Sequence, residues 1–278
     1  MLQFPSWGQQ GTLKEITLTS KILGKGQFGT VHYSHCKNDE REVYAIKVID
    51  RKRINGEKDL HNLQNEILIM SEINSDYVVQ LKDATKTPNN YYLAMELCNG
   101  GDLENYKKIR GGFLKEKEAR LILRQIMQGI AAIKEKDVMH RDLKLPNVML
   151  HFEEMTHLSA IDNPQVLKEY ISHFDFKNLH QTLKCKIADL GFARKLGEDE
   201  LAKTGCGTPL LMAPEVMGGQ HYNHKADVWS IGCLFYELIT GFMPFTGISH
   251  ANLRDNLKKG LFKIPKTVQL SLQGVSFM

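Results

Sequence analysis

A series of short motifs runs along this chain in a fixed order and constrains its fold more than any other feature. The first is a glycine-rich run, Gly24–Thr30, and the second is Ala45-Ile46-Lys47, which ends an apolar stretch. The others, in chain order, are His140-Arg141-Asp142 with Asn147 after it, Asp189-Leu190-Gly191, and Ala213-Pro214-Glu215. A glycine run alone is a weak signal, whereas the ordered set at workable spacings indicates one specific architecture.

Size and composition are those of an ordinary globular protein. The 278 residues, 42% of them hydrophobic, are enough to bury a core in one two-lobed domain. The net charge of +4 is too small to predict nucleic-acid binding, and no apolar run is long enough to predict a membrane span. The five cysteines form no CxxC pair, which predicts reduced thiols in a cytoplasmic protein.

The first part of the chain predicts a small antiparallel sheet with one helix. Leu63, Ile67 and Met70 recur at helical spacing, so a helix is predicted between Glu57 and Glu72. Runs rich in β-branched and aromatic residues predict strands over 16–23, 43–49, 78–81 and 91–97. We therefore expect an N-terminal extension at residues 1–15 and a small lobe at residues 16–97.

Helical patterns dominate the larger lobe, residues 98–278, so the predicted fold class is α+β. The stretch from Lys117 to Lys134 is amphipathic, and the stretch from Val228 to Thr240 is almost wholly apolar. The second of these helices is therefore predicted to be buried.

An insertion at residues 151–183 separates two short strands, 148–150 and 184–188, that we expect to pair. Asn163 is a suitable cap and Pro164 a suitable first residue for a helix inside the insertion. An apolar stripe on that helix predicts that it docks on the large lobe; the stripe comprises Val166, Leu167, Tyr170 and Ile171. The alternative is an element that binds a partner or regulates the protein, because long connections between paired strands are uncommon and are often functional.

The ordered motifs closely resemble the protein-kinase signature, over a region from about Ile16 to the last residue. The resemblance implies the two-lobed kinase fold, with ATP and Mg²⁺ bound and a protein Ser/Thr hydroxyl as the acceptor. In such a fold Glu215 pairs with a later arginine, and only Arg254 follows it here, so we expect a large lobe that is truncated at its C-terminal end.

The resemblance assigns the phosphate-binding residues. Gly24, Gly26 and Gly29 lack side chains, so backbone amides can close over the phosphates, and Phe28 at the tip can exclude water. An ordinary hairpin turn is the alternative interpretation of the glycines taken alone. Lys47 is expected to hold the α- and β-phosphates, with Glu66 as its carboxylate partner in preference to Glu57 or Glu72.

The same resemblance assigns the catalytic and metal-binding residues. Asp142 is the expected base that accepts the substrate hydroxyl proton, and Asn147 and Asp189 are the expected Mg²⁺ ligands. The chain has Leu145-Pro146 where the commoner loop has proline first, and Leu190 where phenylalanine is usual. Since the spacing is kept, we expect the geometry of the loop to survive.

The nucleotide site and its regulation follow by position. The residues expected to contact the nucleotide, besides those of the glycine run and Lys47, are Leu23, Val31, Ala45, Met95, Glu96, Cys98, Asp102 and Met149. Lys144 and Thr208 are typical of kinases that act on serine and threonine. Thr204 is an expected phosphorylation site, filled by an upstream kinase or by autophosphorylation, with Arg141 as the partner of the phosphate. Leu210, Leu211 and Met212 are expected to line the pocket for the residue after the acceptor.

Three stretches are similar to the autophagy-initiating ULK family: 99–103, 187–194 and 209–217. Two alternatives stay open on the sequence. One is a nucleotide-binding pseudokinase or scaffold, although Lys47, Asp142 and Asp189 are all present. The other is a small-molecule phosphotransferase, which Thr208-Pro209 and Ala213-Pro214-Glu215 disfavour.

Overall fold

The computed structural model of the chain describes residues 16–26, 29–155, 163–176, 182–191, 193–195 and 207–278. The described residues fall into two compact units. The first unit runs to Ser75 and includes Val79–Cys98, and the second comprises Asp76–Val78 and Asn99–Met278. None of the helices in the described ranges is long and apolar enough to cross a membrane.

The first unit is built on a five-stranded antiparallel sheet in the order β1-β2-β3-β5-β4. Its strands are β1 (Ile16–Lys25), β2 (Gly29–Cys36), β3 (Val43–Asp50), β4 (Leu81–Lys86) and β5 (Asn90–Glu96). The α+β class and the antiparallel sheet are therefore confirmed. The strand predicted at 78–81 was wrong: Val78 makes only a single bridge to Ile187, and β4 starts at Leu81.

A long helix of this unit, α1 (Gly56–Glu72), packs on one face of the sheet. Leu63 and Ile67, four residues apart, are buried against Ile49, Tyr91 and Leu93. Residues four apart on a helix lie on the same side, so this spacing produces a continuous apolar stripe. Burial of each such side chain stabilises the unit by about 1.5–3 kcal/mol, which fixes the position of α1 on the strands.

The second unit is mainly helical. The helices in its described residues are α2 (Leu103–Ile109), α3 (Glu116–Lys134), α4 (Pro164–His173), α5 (Pro214–Met217), α6 (Lys225–Thr240), α7 (His250–Lys259) and α8 (Leu272–Phe277). The apolar stretch predicted to be buried is α6, in which Leu234 and Leu238 are fully buried. Its outer side is an exception, since Val228 is 60% exposed.

Two short sheets complete the second unit. The strands β7 (Val148–Phe152) and β8 (Leu183–Ile187) pair antiparallel, as the sequence predicts. The other sheet joins β6 (Val138–Met139) to β9 (Arg194–Lys195). The amide of Ile187 also donates to the carbonyl of Tyr77, which extends the β7–β8 pair by one backbone contact.

The insertion forms the predicted helix, α4, on the surface of the second unit. Asn163 caps it by accepting a hydrogen bond from the amide of Gln165, and Pro164 is its first residue. Ile171 is fully buried, whereas Val166, which was assigned to the same stripe, is 37% exposed. Docking through Ile171 is therefore confirmed, and the stripe is narrower than predicted.

The start of α8 is held by a carboxylate of α3, and this contact predicts a dependence of stability on pH. Glu116 accepts hydrogen bonds from the hydroxyl of Ser271 at 2.5 Å and from its amide at 2.7 Å. These bonds, the hydroxyl bond foremost, hold the pKa of Glu116 below its ordinary value. Their contribution is thus present above the unfolded pKa of about 4.3 and is lost as the pH falls through the folded pKa.

We predict that Ser271→Ala destabilises the protein more at neutral pH than in acid. The substitution removes the hydroxyl bond to the Glu116 carboxylate and also a helix cap that does not depend on pH. The free energy of unfolding of both proteins, measured by urea denaturation from neutral pH to below pH 4, should show a gap that narrows in acid. A gap of constant size across this range would contradict the assignment.

Candidate functional site

In the first unit, Lys47 of β3 and Glu66 of α1 form an ion pair. Lys47 Nζ lies 2.6 Å from Glu66 Oε1, and the two side chains are 21% and 9% exposed. Ile67, the next residue of α1, packs against the sheet, and Glu66 is itself among the buried residues of the helix. Removing one partner of such a pair leaves a largely buried charge unpaired, which is strongly destabilising. Of the three glutamates weighed from the sequence, the structure pairs Glu66 with Lys47.

Strand pairing brings Lys47 onto the same face of the sheet as three of the residues expected at the nucleotide. Val31 is the direct partner of Lys47 on β2, and Ala45 is the partner of Met95 on β5. Directly paired residues point to one side of a sheet, as do residues two apart on a strand. Val31, Ala45 and Met95 are only partly buried, so this part of the face is apolar and accessible next to Lys47.

The glycines of the first motif are required for different reasons. A Cβ on Gly29 would lie 1.8 Å from the carbonyl oxygen of Val48, so only glycine fits at this point, where β2 pairs with β3. A Cβ on Gly24 would meet nothing within 4 Å, and one on Gly26 would meet only the Gly29 carbonyl oxygen at 3.8 Å. Steric packing within the protein thus explains Gly29 but leaves open space around the other two. Phe28 lies outside the described residues.

The other nucleotide-contact candidates of the first unit differ in exposure and in whether their side chains are bonded within the protein. Leu23 is 39% exposed on β1. Glu96 accepts a hydrogen bond from the amide of Gln80 at 2.8 Å, so its side chain has a structural role within the unit. The thiol of Cys98 is partly buried and is not part of a disulfide, and the buried thiols of Cys36, Cys185 and Cys233 are not part of a disulfide either.

In the second unit, the carboxylate of Asp142 is the centre of a hydrogen-bond network. Lys144 Nζ donates to Oδ2 at 2.7 Å, and Thr208 Oγ1 donates to Oδ1 at 2.8 Å. Asn147 Nδ2 donates to the carbonyl of Asp142 at 2.9 Å. Asp142 is only 4% exposed. The sequence reversal at Leu145-Pro146 does not disturb the loop, because both fit a short 3₁₀ turn and Leu145 is buried.

Asn147 and Asp189 provide the oxygen atoms that a magnesium ion would need. The amide nitrogen of the Asn147 side chain is used by Asp142, so its Oδ1 points elsewhere and has no hydrogen-bond partner among the described residues. The amide of Ala188 donates to the carbonyl of Asn147, which puts Asp189 beside it. Asp189 is exposed and has a φ of +61°. Carboxylate and carboxamide oxygens suit Mg²⁺, so these residues fit the ion.

The motif containing Asp142 is anchored by a residue that the sequence analysis missed, Asp227 of α6. Its two carboxylate oxygens accept the backbone amides of His140 and Arg141, each at 3.0 Å. Asp227 is 2% exposed, and Arg141 adopts a φ of +69° that is uncommon outside glycine. An ionisable residue at the start of an otherwise apolar helix was the signal that could have identified it.

A close approach between the backbones of Gly207 and Arg141 positions the next residue, Thr208. A Cβ on Gly207 would lie 2.3 Å from the carbonyl oxygen of Arg141, and the φ of Gly207 is +107°, so this position requires glycine. Arg141 itself donates to the hydroxyl of Tyr222 at 3.4 Å. Thr204, its expected phosphorylated partner, lies outside the described residues.

In the turn after Thr208, the prediction that Leu211 lines a substrate pocket was wrong. Leu211 is 3% exposed and packs with Cys233, Phe245 and Leu253, so it is part of the core and cannot line an open pocket. Its carbonyl is fixed by the hydroxyl of Ser230 at 3.0 Å. Leu210 and Met212 are only partly buried and stay available.

Three further predicted residues lie in the second unit. Asp102 and Met149 form a backbone bridge, and one oxygen of Asp102 caps α2 by accepting the amide of Asn105. Glu215 is partly buried, and its carboxylate has no hydrogen-bond or ion-pair partner within the described ranges. Leu190 is buried, at 2% exposure.

Comparisons with known proteins agree with this arrangement. The family described as protein kinase domain matches residues 18–276. The chain is 37% identical to serine/threonine-protein kinase ATG1c of Arabidopsis thaliana over 240 residues, which cover 86% of this chain and 29% of the relative. It is 34% identical over 269 residues to serine/threonine-protein kinase ULK3 of Mus musculus, covering 96% of this chain and 50% of that protein. The chain thus spans at most about half the length of these relatives.

We predict that Asp227→Asn destabilises the second unit and loosens the loop at Arg141. Asparagine keeps one acceptor oxygen but turns an NH₂ group toward the other buried amide, which leaves that donor unsatisfied at a cost of about 1–3 kcal/mol. Denaturation should show this loss, and hydrogen exchange at the amides of His140 and Arg141 should accelerate. The exposed Asp255→Asn is the control, and equal behaviour of the two variants would refute the anchor.

Proposed function

This chain belongs to the protein kinase domain family, and we propose that it transfers the γ-phosphoryl group of ATP to serine and threonine hydroxyls of proteins. The observation that carries the proposal is the Asp142 carboxylate, which is held by Lys144 and Thr208. A carboxylate with both oxygens oriented in this way is a suitable acceptor for the proton of an attacking hydroxyl.

The first unit would hold the nucleotide. Lys47, kept in place by Glu66, offers its ammonium group to the α- and β-phosphates of ATP. The open space around Gly24 and Gly26 lets backbone amides approach phosphate oxygens without a side chain in between. The apolar face formed by Val31, Ala45 and Met95 suits the adenine ring. A direct role for Glu96 is limited to its backbone, because its carboxylate is already bonded to Gln80.

The second unit would carry the metal and the transfer. When bound by Asn147 Oδ1 and Asp189, Mg²⁺ neutralises charge on the phosphate oxygens. Asp142 accepts the proton of the substrate hydroxyl as a bond forms between that oxygen and the γ-phosphorus. The bond from the γ-phosphorus to the bridging oxygen breaks, and ADP leaves with the electron pair. Lys144 beside the reacting atoms stabilises the negative charge that develops there.

Several broader assignments are part of this proposal. The domain organisation would be a small lobe at 16–97 and a large lobe at 98–278 with the insertion at 151–183. Similarity to kinases named ATG1 and ULK3 supports a role in autophagy-type signalling, in a cytoplasmic location. The substrates would be proteins. A phosphate on Thr204, bound by Arg141, would control the activity. The pseudokinase alternative has no support, because Lys47, Asp142 and Asp189 are all retained.

The direct test is transfer of radiolabelled phosphate from ATP to matched peptides that differ only in having serine, threonine or tyrosine as the acceptor. We expect Mg²⁺-dependent labelling of the serine and threonine peptides and little labelling of the tyrosine peptide. Lys47→Met should lower kcat/KM by about 10²–10³-fold, because it removes a cation that faces the phosphates. Lys82→Met, an exposed lysine of β4, is the matched control. Efficient labelling of tyrosine, or undiminished activity of Lys47→Met, would contradict the proposal.

A further inference from the structure

The insertion helix α4 lies in the chain between two strands that carry nucleotide-site residues. β7 contains Met149, and β8 leads directly into Asp189. None of the ordered motifs requires a helix here. Even so, α4 packs closely against the second unit, and its contacts lead to the segment from Asn99 to Asp102.

An aromatic cluster forms the first part of this contact. The ring of Phe152, at the end of β7, is fully buried. The ring of Tyr170 meets it edge-on with centroids 5.0 Å apart, and the ring of Phe174 does the same at 5.1 Å. This geometry is the preferred one for aromatic pairs, so the rings of Tyr170 in α4 and of Phe174 just after it restrict where Phe152 can lie.

A guanidinium group fixes the C-terminal end of α4. Arg110 Nη1 donates to the carbonyls of Ile171 and Phe174 at 3.2 and 3.3 Å, and Nη2 donates to Glu118 at 3.2 Å. A cation at the last carbonyls of a helix is electrostatically favourable. Glu118 is buried and also accepts the hydroxyl of Tyr106 at 2.5 Å. The end of α4 is therefore tied to α2 and α3.

Phe152 passes this constraint on to the segment from Asn99 to Asp102. The Asn99 side chain accepts the amide of Phe152 at 2.8 Å and donates to the carbonyls of Phe152 and Met155, each at 2.9 Å. A Cβ on Gly100 would lie 2.7 Å from the ring of Phe152, so the backbone rests directly on that ring. The next residue, Gly101, accepts the amide of Leu150.

A side chain of the helix also lies close to the segment itself. Leu167 Cδ2 lies 3.9 Å from the position that a Cβ on Gly101 would take. The residue after Gly101 is Asp102, which bridges to Met149. Asp102, which is expected at the nucleotide, therefore lies on a backbone that has Leu167 of α4 nearby and is bonded to β7, and Met149 lies on β7 itself.

We propose that α4 is a positioning element for nucleotide binding, acting through Phe152 and Gly101 on the backbone that carries Asp102 and Met149. The proposal rests on the proposed function in taking ATP as the ligand. Loosening α4 should weaken ATP binding and leave the chemical step unchanged. The reason is that Asp142 is held by Lys144, Thr208 and the Asp227 anchor, and none of the described contacts of α4 reaches these residues.

The test uses substitutions on the two sides of the same helix. Tyr170→Ala and Leu167→Ala remove the inward contacts, Tyr170→Phe keeps the ring, and Val166→Ala alters a more exposed position. For each variant the Kd of Mg²⁺-ATP is measured by calorimetry, and KM and kcat by phosphate transfer. We expect Kd and KM to rise about tenfold in the two inward variants with kcat unchanged, a size within the range of such coupling effects. Tyr170→Phe and Val166→Ala should match the wild type.

The results separate this proposal from the function it builds on. An unchanged Kd in both inward variants, with only a lower melting temperature, would make α4 merely structural and overturn the proposal. A fall in kcat of the same size as the rise in Kd would also overturn it. A wild type that binds Mg²⁺-ATP but transfers no phosphate would contradict the proposed function, while the Kd values would still decide the role of α4. If Tyr170→Ala does not fold, Leu167→Ala gives the same readout.

Discussion

The geometry of the loop that carries Asp142 depends on one buried carboxylate, Asp227. A carboxylate that is 2% exposed is costly to bury unless strong donors surround it. Here the donors are the consecutive amides of His140 and Arg141. The bonds also hold Arg141 at a φ of +69°, a conformation that a non-glycine residue rarely adopts without such support. Asp142 follows directly, so the backbone that carries its carboxylate is anchored by a helix that is distant in sequence, while Lys144 and Thr208 bond the carboxylate itself.

Much of the site could be predicted because its information is local. Lys47 follows an apolar strand, and Glu66 stands in the middle of a periodic helix, so their side chains had to face the same core. The pairing of β7 with β8 and the capping of α4 by Asn163 were similarly predictable. The Asp227 anchor was not, because it joins residues 87 positions apart and its partners are backbone amides with no side-chain signature. The burial of Leu211 was missed because three consecutive apolar residues do not show which one faces the core.

The glycines show that the same residue type can be required for two different physical reasons. Gly29 and Gly207 are required by approach of another backbone, since a Cβ would lie 1.8 and 2.3 Å from a carbonyl oxygen. Gly24 and Gly26 face open space instead, as is expected where a ligand rather than the protein comes close. The insertion, which lies between Asn147 and Asp189 in the chain, is held in the unit by contacts with Arg110 and Phe152. A pattern thus indicates where a constraint lies, and only the contacts show what imposes it.

In the function we propose, Asp142 acts in the transfer step and is not needed to bind the nucleotide. The most direct measurement compares Mg²⁺-ATP affinity and phosphate transfer, side by side, in the wild type and Asp142→Asn. The amide keeps the shape and one acceptor oxygen, but it cannot accept the hydroxyl proton. We predict an unchanged Kd with transfer reduced by about 10²–10⁴-fold. Transfer at the wild-type rate, or loss of binding together with transfer, would contradict it.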